Sequence, residues 1–262
     1  MRAIVWTAYG SPDVLQLQEI PKPIPKDNDV LIRIHATTVT AGDCEMRRMG
    51  NPIWFRLPMQ AYIGVNRPKR ITILGMELAG EVVSTGKAVT RFSQGDQVLA
   101  ATGITAVGTY AEYVCLHENP DDGAIANKPA SLSYEEAAAV PVGGLEALHY
   151  MRAAAIQAGE TVLINGAGGT IGCFAVQLAK QFGADVTAVD SSDKLDLLRA
   201  LGADHVIDYT LQDPLGKAKA YTAIFDVVGK LPYAAVSSLK GADGISSAIL
   251  ARQRCSAADG RR

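Results

Sequence analysis

Cysteine is scarce in this chain of 262 residues, and its four cysteines lie far apart in the sequence. Cys44, Cys115, Cys173 and Cys255 form no C-x-x-C pair, so neither a zinc ribbon nor a disulfide framework is expected. Acidic and basic residues nearly cancel, at a net charge of −2, and the basic residues are dispersed. The sequence therefore has no footprint of a nucleic-acid-binding protein, and we expect reduced thiols in the cytoplasm.

Long apolar segments are also missing. The apolar run at the start of the chain is too short for a signal peptide. Residues 161–179 carry no charge, but they contain Asn165, Thr170, Gln177 and four glycines and divide into a strand, a turn and a helix. We therefore expect no membrane span. With 48% hydrophobic and 20% charged residues, the composition is that of a globular protein with room for two modest domains.

The chain does contain a glycine-rich turn. Thr161–Ile164 reads as a short apolar strand, Asn-Gly-Ala-Gly-Gly-Thr-Ile-Gly follows it, and a helical pattern comes next. A strand, a tight turn and a helix in this order suit a dinucleotide pyrophosphate, which the free N–H groups of the first helical turn would bind. Gly166, Gly169 and Gly172 are spaced G-x-x-G-x-x-G, so the common G-x-G-x-x-G form fails by one residue. Flexible loops also collect glycine, and the context must decide.

The context favours a nucleotide site. A second strand signal ends at Asp190, close to where an acidic residue would meet the adenosine ribose. Strand and helix signals alternate from Thr161 onward, which predicts a parallel, doubly wound sheet. A full dinucleotide-binding sheet has about six strands. Four strands are expected here, at 161–165, 185–190, 204–207 and 223–228.

The first part of the chain has a different pattern. Residues 1 to about 120 read as all-β, with Val30–His35 alternating at the two-residue period of a strand. Several short strand signals separated by glycine and serine indicate a small barrel-like unit. Beyond it, Ser133 and Glu136 have the spacing of a capping box at the start of a helix. A second helix is expected over Leu145–Gln157.

Several motifs extend over about residues 1–240. They are Gly75-Met-Glu-Leu-Ala-Gly80-Glu-Val, Gly95-Asp-Gln-Val98, Gly108-Thr-Tyr-Ala-Glu-Tyr113, Ala137-Ala-Ala-Val-Pro141, the glycine-rich turn, Gly202-Ala-Asp-His-Val-Ile-Asp-Tyr209 and Phe225-Asp-Val-Val-Gly229. Together they resemble the zinc-independent, quinone-oxidoreductase-like branch of the medium-chain dehydrogenase/reductases. The resemblance implies an α/β protein with a GroES-like β-rich domain at 1–122, a Rossmann NAD(P)-binding domain at 123–240 and an active site in the cleft between them. The Rossmann sheet is expected to be incomplete, with an atypical tail at 241–262.

The resemblance also bears on zinc. Zinc-dependent relatives carry a cysteine where this chain has Thr40 and a histidine where it has Met76, which leaves Glu77 alone. Since a catalytic zinc site needs three protein ligands, no metal is expected. Without a Lewis acid, alcohol oxidation is poorly supported. Quinones and α,β-unsaturated carbonyls are favoured as acceptors, because hydride transfer to them needs positioning more than acid catalysis.

The residues expected at the cofactor come mainly from the resemblance. It implies Gly169, Thr170 and Ile171 at the pyrophosphate, Lys194 and Tyr209 beside the 2′-phosphate of NADPH, and Val228 and Gly229 near the nicotinamide. Gly166 and Gly172 complete the turn, and Ser191 and Ser192 could donate hydrogen bonds to the 2′-phosphate.

Asp190 and Lys194 favour different nicotinamide cofactors. Asp190 stands where NADPH-binding relatives have a small neutral residue, and its carboxylate would repel a 2′-phosphate and favour NADH. Lys194 could offset that charge, although a solvated helix lysine would look the same in sequence. NADPH is the expected cofactor, with NADH as the alternative.

Thr40 and Asp43 are the expected catalytic residues, with Thr40 as the polar group near the hydride acceptor. A threonine there would also suit an ordinary strand. The following segment, Arg47–Leu57, is rich in basic and aromatic residues. It could form a wall of the substrate cleft, or a surface segment that touches membranes or partners.

The sequence therefore predicts an NAD(P)H-dependent oxidoreductase that reduces quinone-like or α,β-unsaturated carbonyl small molecules by hydride transfer without zinc. The alternative is a truncated, catalytically inactive nucleotide-binding protein, because the sequence departs from the family after Lys240 as a frame shift or early end would make it. A zinc alcohol dehydrogenase is a third interpretation. Relatives form homodimers, but no dimer is expected here, because the strands that pair them are lost. The physiological substrate is left open.

Overall fold

A computed structural model describes residues 1–50, 52–103, 108–215, 221–231 and 247–249. The chain divides into two compact units, Met1–Val142 and Gly143–Arg262. The sequence places a domain boundary at residue 122, and the first unit continues past it because Ala137 and Ala138 pack against Ala79.

The first unit is mainly antiparallel sheet. Its strands are β1 (Arg2–Trp6), β2 (Leu15–Glu19), β3 (Asp29–Thr37), β4 (Glu77–Thr85), β5 (Gln97–Ala101), β6 (Tyr113–His117) and β7 (Ala124–Asn127). β1 pairs with β2, and the other five form a sheet in the order β6-β3-β4-β5-β7. Val30 and Ile32 of β3 share a buried face, as predicted, and pack in one cluster with Leu78 of β4. The alternation is incomplete, because Leu31 between them is also buried, at 5% exposed.

The expectation that this region is all-β is wrong. Between β3 and β4 lie two helices, α1 (Ala41–Arg48) and α2 (Ile53–Ile63). The sequence signal for α1 was Thr40 followed three residues later by Asp43, which form a capping box. The predicted capping box of Ser133 and Glu136 is confirmed at the start of α3 (Tyr134–Ala138).

The second unit carries a parallel sheet with helices between its strands. Its elements are β8 (Thr161–Asn165), α5 (Thr170–Gln181), β9 (Asp185–Asp190), α6 (Leu195–Ala200), β10 (His205–Asp208), β11 (Ala223–Asp226) and β12 (Ser247–Ile249). The strands are ordered β10-β9-β8-β11-β12, and every pair is parallel. Val162, Ile164, Ala175, Val186 and Phe225 are buried members of the core that α5 forms with this sheet.

Helix α4 (Pro141–Ala153) begins earlier than the predicted Leu145 and ends before the predicted Gln157. Proline is favoured in the first turn of a helix, so Pro141 starts α4. Gly143 lies inside α4, where α5 approaches closely. A Cβ at this position would lie 2.5 Å from Thr170 Cγ2 of α5, so a residue without a side chain is needed. Beyond its end, Ala155 adopts a left-handed φ of 52°.

The strand count was also wrong by at least one. β12 lies in the segment where the sequence predicts an atypical tail, and it pairs in parallel with β11 through Ala223↔Ser247 and its neighbours. The remainder of 241–262 lies outside the described residues. Within the described residues, no helix is both long and apolar enough to cross a membrane.

Candidate functional site

The parallel sheet changes direction beside β8. From β8 the chain adds β9 and β10 on one side, and then returns to add β11 and β12 on the other. Ligands of such sheets bind outside the carboxyl ends of the strands at the point where the order reverses. The residues that follow β8, β9 and β11 are therefore the ones to inspect.

The glycine-rich turn follows β8, and its glycines are required by close contacts. Gly166 has a φ of +79°, a conformation that glycine adopts at little cost. A Cβ on Gly172 would lie 2.3 Å from Gly166 O and 2.5 Å from the Cα of Ala167. The backbone of the glycine-rich turn therefore packs directly against the backbone of the first turn of α5.

The amino end of α5 is open. Gly169 is its N-cap residue and has no side chain to accept a hydrogen bond. Within the described residues, the amides of Thr170, Ile171 and Gly172 have no hydrogen-bond partner. Unpaired N–H groups and the positive end of the helix dipole together make an anion site. A diphosphate fits this arrangement.

Asp190, at the end of β9, faces this turn. Its Oδ2 accepts from Gly168 N at 2.7 Å and its Oδ1 accepts from Ser191 N at 2.9 Å. The Lys194 ammonium lies 3.4 Å from Oδ1, and the Asp190 side chain is only 9% exposed. Burial opposes ionisation of Asp190, but the two N–H donors and the charge of Lys194 outweigh it and lower the pKa of the carboxyl. Asp190 is thus an anion that holds the glycine turn to the end of β9.

The residues predicted near a 2′-phosphate differ in what they contact. Ser191 donates to Asp193 Oδ1 at 2.6 Å, and Ser192 donates to Asp208 Oδ2. Lys194 and Tyr209, in contrast, keep 40% of the side chain and 56% of the residue exposed, respectively. The two serine hydroxyls are therefore committed to neighbouring carboxylates, whereas the lysine and the tyrosine are accessible.

A buried network after β11 was missed by the sequence reasoning. Asp226 is fully buried, and its carboxylate accepts from Asn165 Nδ2 at 2.9 Å, from Gly229 N at 2.9 Å and from Leu231 N at 2.8 Å. It therefore links the end of β8 to the loop after β11. The available signal was an Asn at the end of one predicted strand and an Asp within another predicted strand of the same parallel sheet. The loop also brings Val228 against the turn, since a Cβ on Gly166 would lie 2.5 Å from Val228 Cγ2.

A cavity of about 460 Å³ opens between these loops. It is large enough for part of a dinucleotide. The predicted site residues that line it are Gly166, Gly169, Asp190, Lys194, Tyr209 and Val228. The lining residues that were not predicted are Asn165, Pro214, Val227, Lys230 and Leu231.

The expected catalytic residues lie in the first unit. Thr40 is the N-cap of α1, and its Oγ1 both donates to Asp43 Oδ2 at 2.6 Å and accepts from Asp43 N at 3.2 Å. Asp43 is 3% exposed, and its other oxygen accepts from Gly75 N at 3.1 Å. Asp43 therefore does not face solvent, and it fixes the direction of the Thr40 hydroxyl.

Two further groups surround this pair. Burial first, and the charge of Asp43 second, raise the pKa of Tyr110. The Glu77 carboxylate accepts from Thr38 Oγ1 at 2.5 Å and from Val142 N at 3.0 Å. The described residues contain no cluster of three His, Cys, Asp or Glu side chains that could hold a metal ion.

Comparisons with known proteins agree with this geometry. The alcohol dehydrogenase GroES-like domain family matches residues 26–122, and the zinc-binding dehydrogenase family matches residues 170–244. The chain is 36% identical over 238 residues to the chloroplastic quinone-oxidoreductase homolog of Spinacia oleracea, which covers 84% of this chain and 67% of that protein. This chain belongs to the medium-chain dehydrogenase/reductase superfamily.

Other relatives of this chain are also named as quinone or alkenal/one oxidoreductases. The chloroplastic NADPH-dependent alkenal/one oxidoreductase of Arabidopsis thaliana is 34% identical over 239 residues, or 87% of this chain and 58% of that protein. The solved structure of the quinone oxidoreductase from Coxiella burnetii aligns with a TM-score of 0.75 and 34% identity, over 87% of this chain and 69% of that one. The dehydrogenase/reductase fold predicted from the sequence, GroES-like followed by Rossmann, is confirmed. The chain spans 58% and 67% of the lengths of the two curated relatives.

Proposed function

We propose that this chain is an NAD(P)H-dependent oxidoreductase that reduces quinone-like or α,β-unsaturated carbonyl compounds. One observation carries the proposal: the amino end of α5 presents unpaired amides at the switch point of a parallel sheet. Relatives named as a quinone-oxidoreductase homolog and as an alkenal/one oxidoreductase support the two substrate classes. The bound cofactor would supply the hydride. The unpaired amides of Thr170, Ile171 and Gly172 would hold its pyrophosphate, with Gly169, whose own N–H donates to Gly166 O at 3.2 Å, beside it.

We propose NADPH rather than NADH as the preferred cofactor. Lys194 and Tyr209 line the cavity and are accessible. The Asp190 carboxylate, which the sequence suggested would repel a 2′-phosphate, is neutralised by two N–H donors and by Lys194. Its charge is therefore balanced within the protein, and the repulsion is weakened.

The absence of zinc is part of the proposal. The two positions where zinc-dependent relatives have cysteine and histidine hold a hydroxyl, from Thr40, and a thioether, from Met76. Zinc prefers thiolate, imidazole and carboxylate ligands. The Glu77 carboxylate already accepts two hydrogen bonds. This donor set does not suit zinc, so the reaction is proposed to depend on the position of its partners. Thr40, held in one direction by Asp43, is proposed as the polar group near the hydride acceptor.

Binding and turnover are tested separately. NADPH and NADH are titrated against the purified chain, with cofactor fluorescence as the signal, and NADPH oxidation is then measured with a quinone and an enone. We expect binding and turnover with one of these acceptors. Failure to bind either cofactor would contradict the proposal, and binding without turnover across a panel of acceptors would favour an inactive nucleotide-binding protein.

The cofactor preference has its own test. Lys194→Ala should weaken NADPH binding by about tenfold, the value of one charged contact, and should leave NADH binding unchanged. Lys180→Ala is the matched control, because Lys180 also pairs with an aspartate, Asp204, at 2.6 Å, but does not line the cavity. Equal losses for both cofactors would contradict the assignment of Lys194 to the 2′-phosphate.

A further inference from the structure

Charge is unevenly distributed in one segment of the first unit. Residues 46–76 contain six basic residues and no Asp or Glu, although the whole chain has a net charge of −2. Of the six, Arg48, Arg67, Lys69 and Arg70 are exposed. None of these four forms an ion pair with any residue that the structure describes. The segment therefore presents uncompensated positive charge.

The same segment contains α2, which is apolar on opposite faces. Its inner face packs into a core cluster through Met59, Tyr62 and the buried Ile63. On the outer face Ile53 is 61%, Trp54 45% and Leu57 57% exposed. These residues share one face with Pro58 and Ala61, which are exposed too. Apart from Arg56 and Gln60, α2 is apolar around its circumference, and a helix of this kind is normally buried.

Three of these four basic residues, Arg67, Lys69 and Arg70, follow the carboxyl end of this helix. After Gly64 the chain folds back, and the backbone N–H groups of Lys69 and Arg70 donate to Ile63 O at 2.9 and 3.0 Å. The guanidinium of Arg70 lies 4.1 Å from the centre of the Tyr62 ring. The exposed apolar face of α2 and the basic residues just beyond its carboxyl end are thus neighbours in the fold, and we call them together the α2 surface.

We propose that the α2 surface docks the protein onto a membrane that contains anionic lipids. Exposed Trp, Ile and Leu on one helix face next to arginine and lysine are the combination that binds the lipid headgroup region. The apolar side chains would enter the boundary between headgroups and acyl chains, and the basic residues would meet the lipid phosphates. An apolar patch alone would suit a second copy of the chain, but uncompensated like charges on both copies would repel each other.

The chain provides its own probe for this proposal. It has two tryptophans, and Trp6 is 1% exposed whereas Trp54 is 45% exposed. The protein is mixed with vesicles of phosphatidylcholine, with or without phosphatidylserine, and both sedimentation and tryptophan emission are recorded. We expect binding to the vesicles with phosphatidylserine, a blue shift of the emission, and release at high salt because the attraction is electrostatic. Trp54→Phe should abolish the shift and leave the Trp6 signal.

Two sets of variants separate the parts of the surface. Arg67→Glu with Lys69→Glu, and separately Ile53→Gln with Leu57→Gln, should each lower vesicle partitioning by at least tenfold. Their controls are Lys87→Glu, an exposed lysine outside the segment, and Ile24→Gln, an isolated isoleucine that is 86% exposed. All of these side chains are largely exposed, so circular dichroism and thermal unfolding should be unchanged.

Three results would overturn the proposal. The first is no sedimentation with vesicles that contain phosphatidylserine at low salt. The second is binding that Ile53→Gln with Leu57→Gln leaves intact. The third is a doubling of mass with concentration, accompanied by the blue shift of Trp54 without lipid, because a second copy would then cover the α2 surface.

Discussion

Helices α1 and α5 each follow a strand or its extension, and they begin in opposite ways. The first turn of α1 is closed by the side chains of Thr40 and Asp43, which satisfy each other's backbone N–H groups. The first turn of α5 begins at Gly169 and receives no side-chain acceptor. The same backbone donors are thus used internally in one helix and left for a ligand in the other.

This comparison shows what makes a helix start into an anion site. A Thr or Ser at the N-cap supplies an oxygen that a phosphate would otherwise supply. Glycine leaves the donors unpaired and lets the ligand approach the backbone closely. In the second unit Asp190 and Asp226 accept hydrogen bonds from the loops around the open end, so these loops are held by side chains while the helix donors stay free.

The largest effect is expected from a side chain added at the open amino end of α5. Gly172→Ala places a Cβ 2.3 Å from Gly166 O and 2.5 Å from Ala167 Cα, and both atoms belong to the backbone. We expect NADPH binding to weaken by roughly a hundredfold and the free energy of unfolding to fall by about 1–3 kcal/mol. Cofactor fluorescence and urea unfolding measure the two effects.

The matched control is Gly169→Ala. Gly169 has a φ of −84°, and a Cβ there would meet its nearest described atom at 3.5 Å. The change should therefore cost about 1 kcal/mol or less in stability. If Gly172→Ala bound NADPH as tightly as the natural chain, the turn would not be the cofactor site.

The next largest effect is expected from the loop support. Asp226→Ala removes the acceptor of three N–H donors, two of them in the backbone. It leaves Asn165 Nδ2 unpaired in a buried place and the two backbone N–H groups unpaired in a partly buried one. We expect a loss of about 3 kcal/mol in the free energy of unfolding, measured by urea titration. Asp226→Asn should recover part of it.

Asp196→Ala serves as the control for Asp226, because the Asp196 side chain is 97% exposed. Its change in stability should stay within about 0.5 kcal/mol. Equal effects of the two alanine substitutions would show that the Asp226 network does not hold the loop after β11.

Much of the second unit could be predicted from sequence, because each step depended on neighbouring residues. The apolar run 161–164, the glycines after it and the acidic end of the next strand fixed β8, the turn and β9 within a residue or two. The same holds for the capping box at Ser133. Local chemistry of this kind leaves little choice to the backbone.

Contacts between distant residues could not be predicted in the same way. The Asn165–Asp226 hydrogen bond depends on two strands 61 residues apart becoming neighbours. Asp190 was read as a ribose ligand, but its bond to Gly168 N depends on the path of the turn. The capping box of α1 was not predicted, because Thr40 was interpreted only as the residue that replaces a zinc-binding cysteine of relatives. Whether the predicted residues touch a cofactor stays a prediction.

Removal of the side-chain cap at the amino end of α1 should have a smaller effect on stability. Thr40→Ala should cost about 1 kcal/mol of stability, as should Ser133→Ala at the equivalent position of α3. Only Thr40→Ala should also lower turnover, by about tenfold, because its hydroxyl is proposed to position the acceptor. Thr40→Ser should retain both properties. If Thr40→Ala and Ser133→Ala had the same turnover, Thr40 would serve as a cap alone.

The smallest effect concerns the support of the open end, and it depends on pH. The N–H donors and Lys194 lower the pKa of Asp190 in the folded chain below its ordinary value of 3.8. A carboxyl of this kind stabilises the fold above its ordinary pKa, and the contribution is lost as the pH falls through the lowered value. Asp190→Asn should therefore be less stable than the natural chain at neutral pH, by about 1 kcal/mol, and the difference should shrink below pH 3.8. Urea unfolding of both proteins across this range measures it, and a difference that does not change with pH would mean that the charge of Asp190 does not hold the turn.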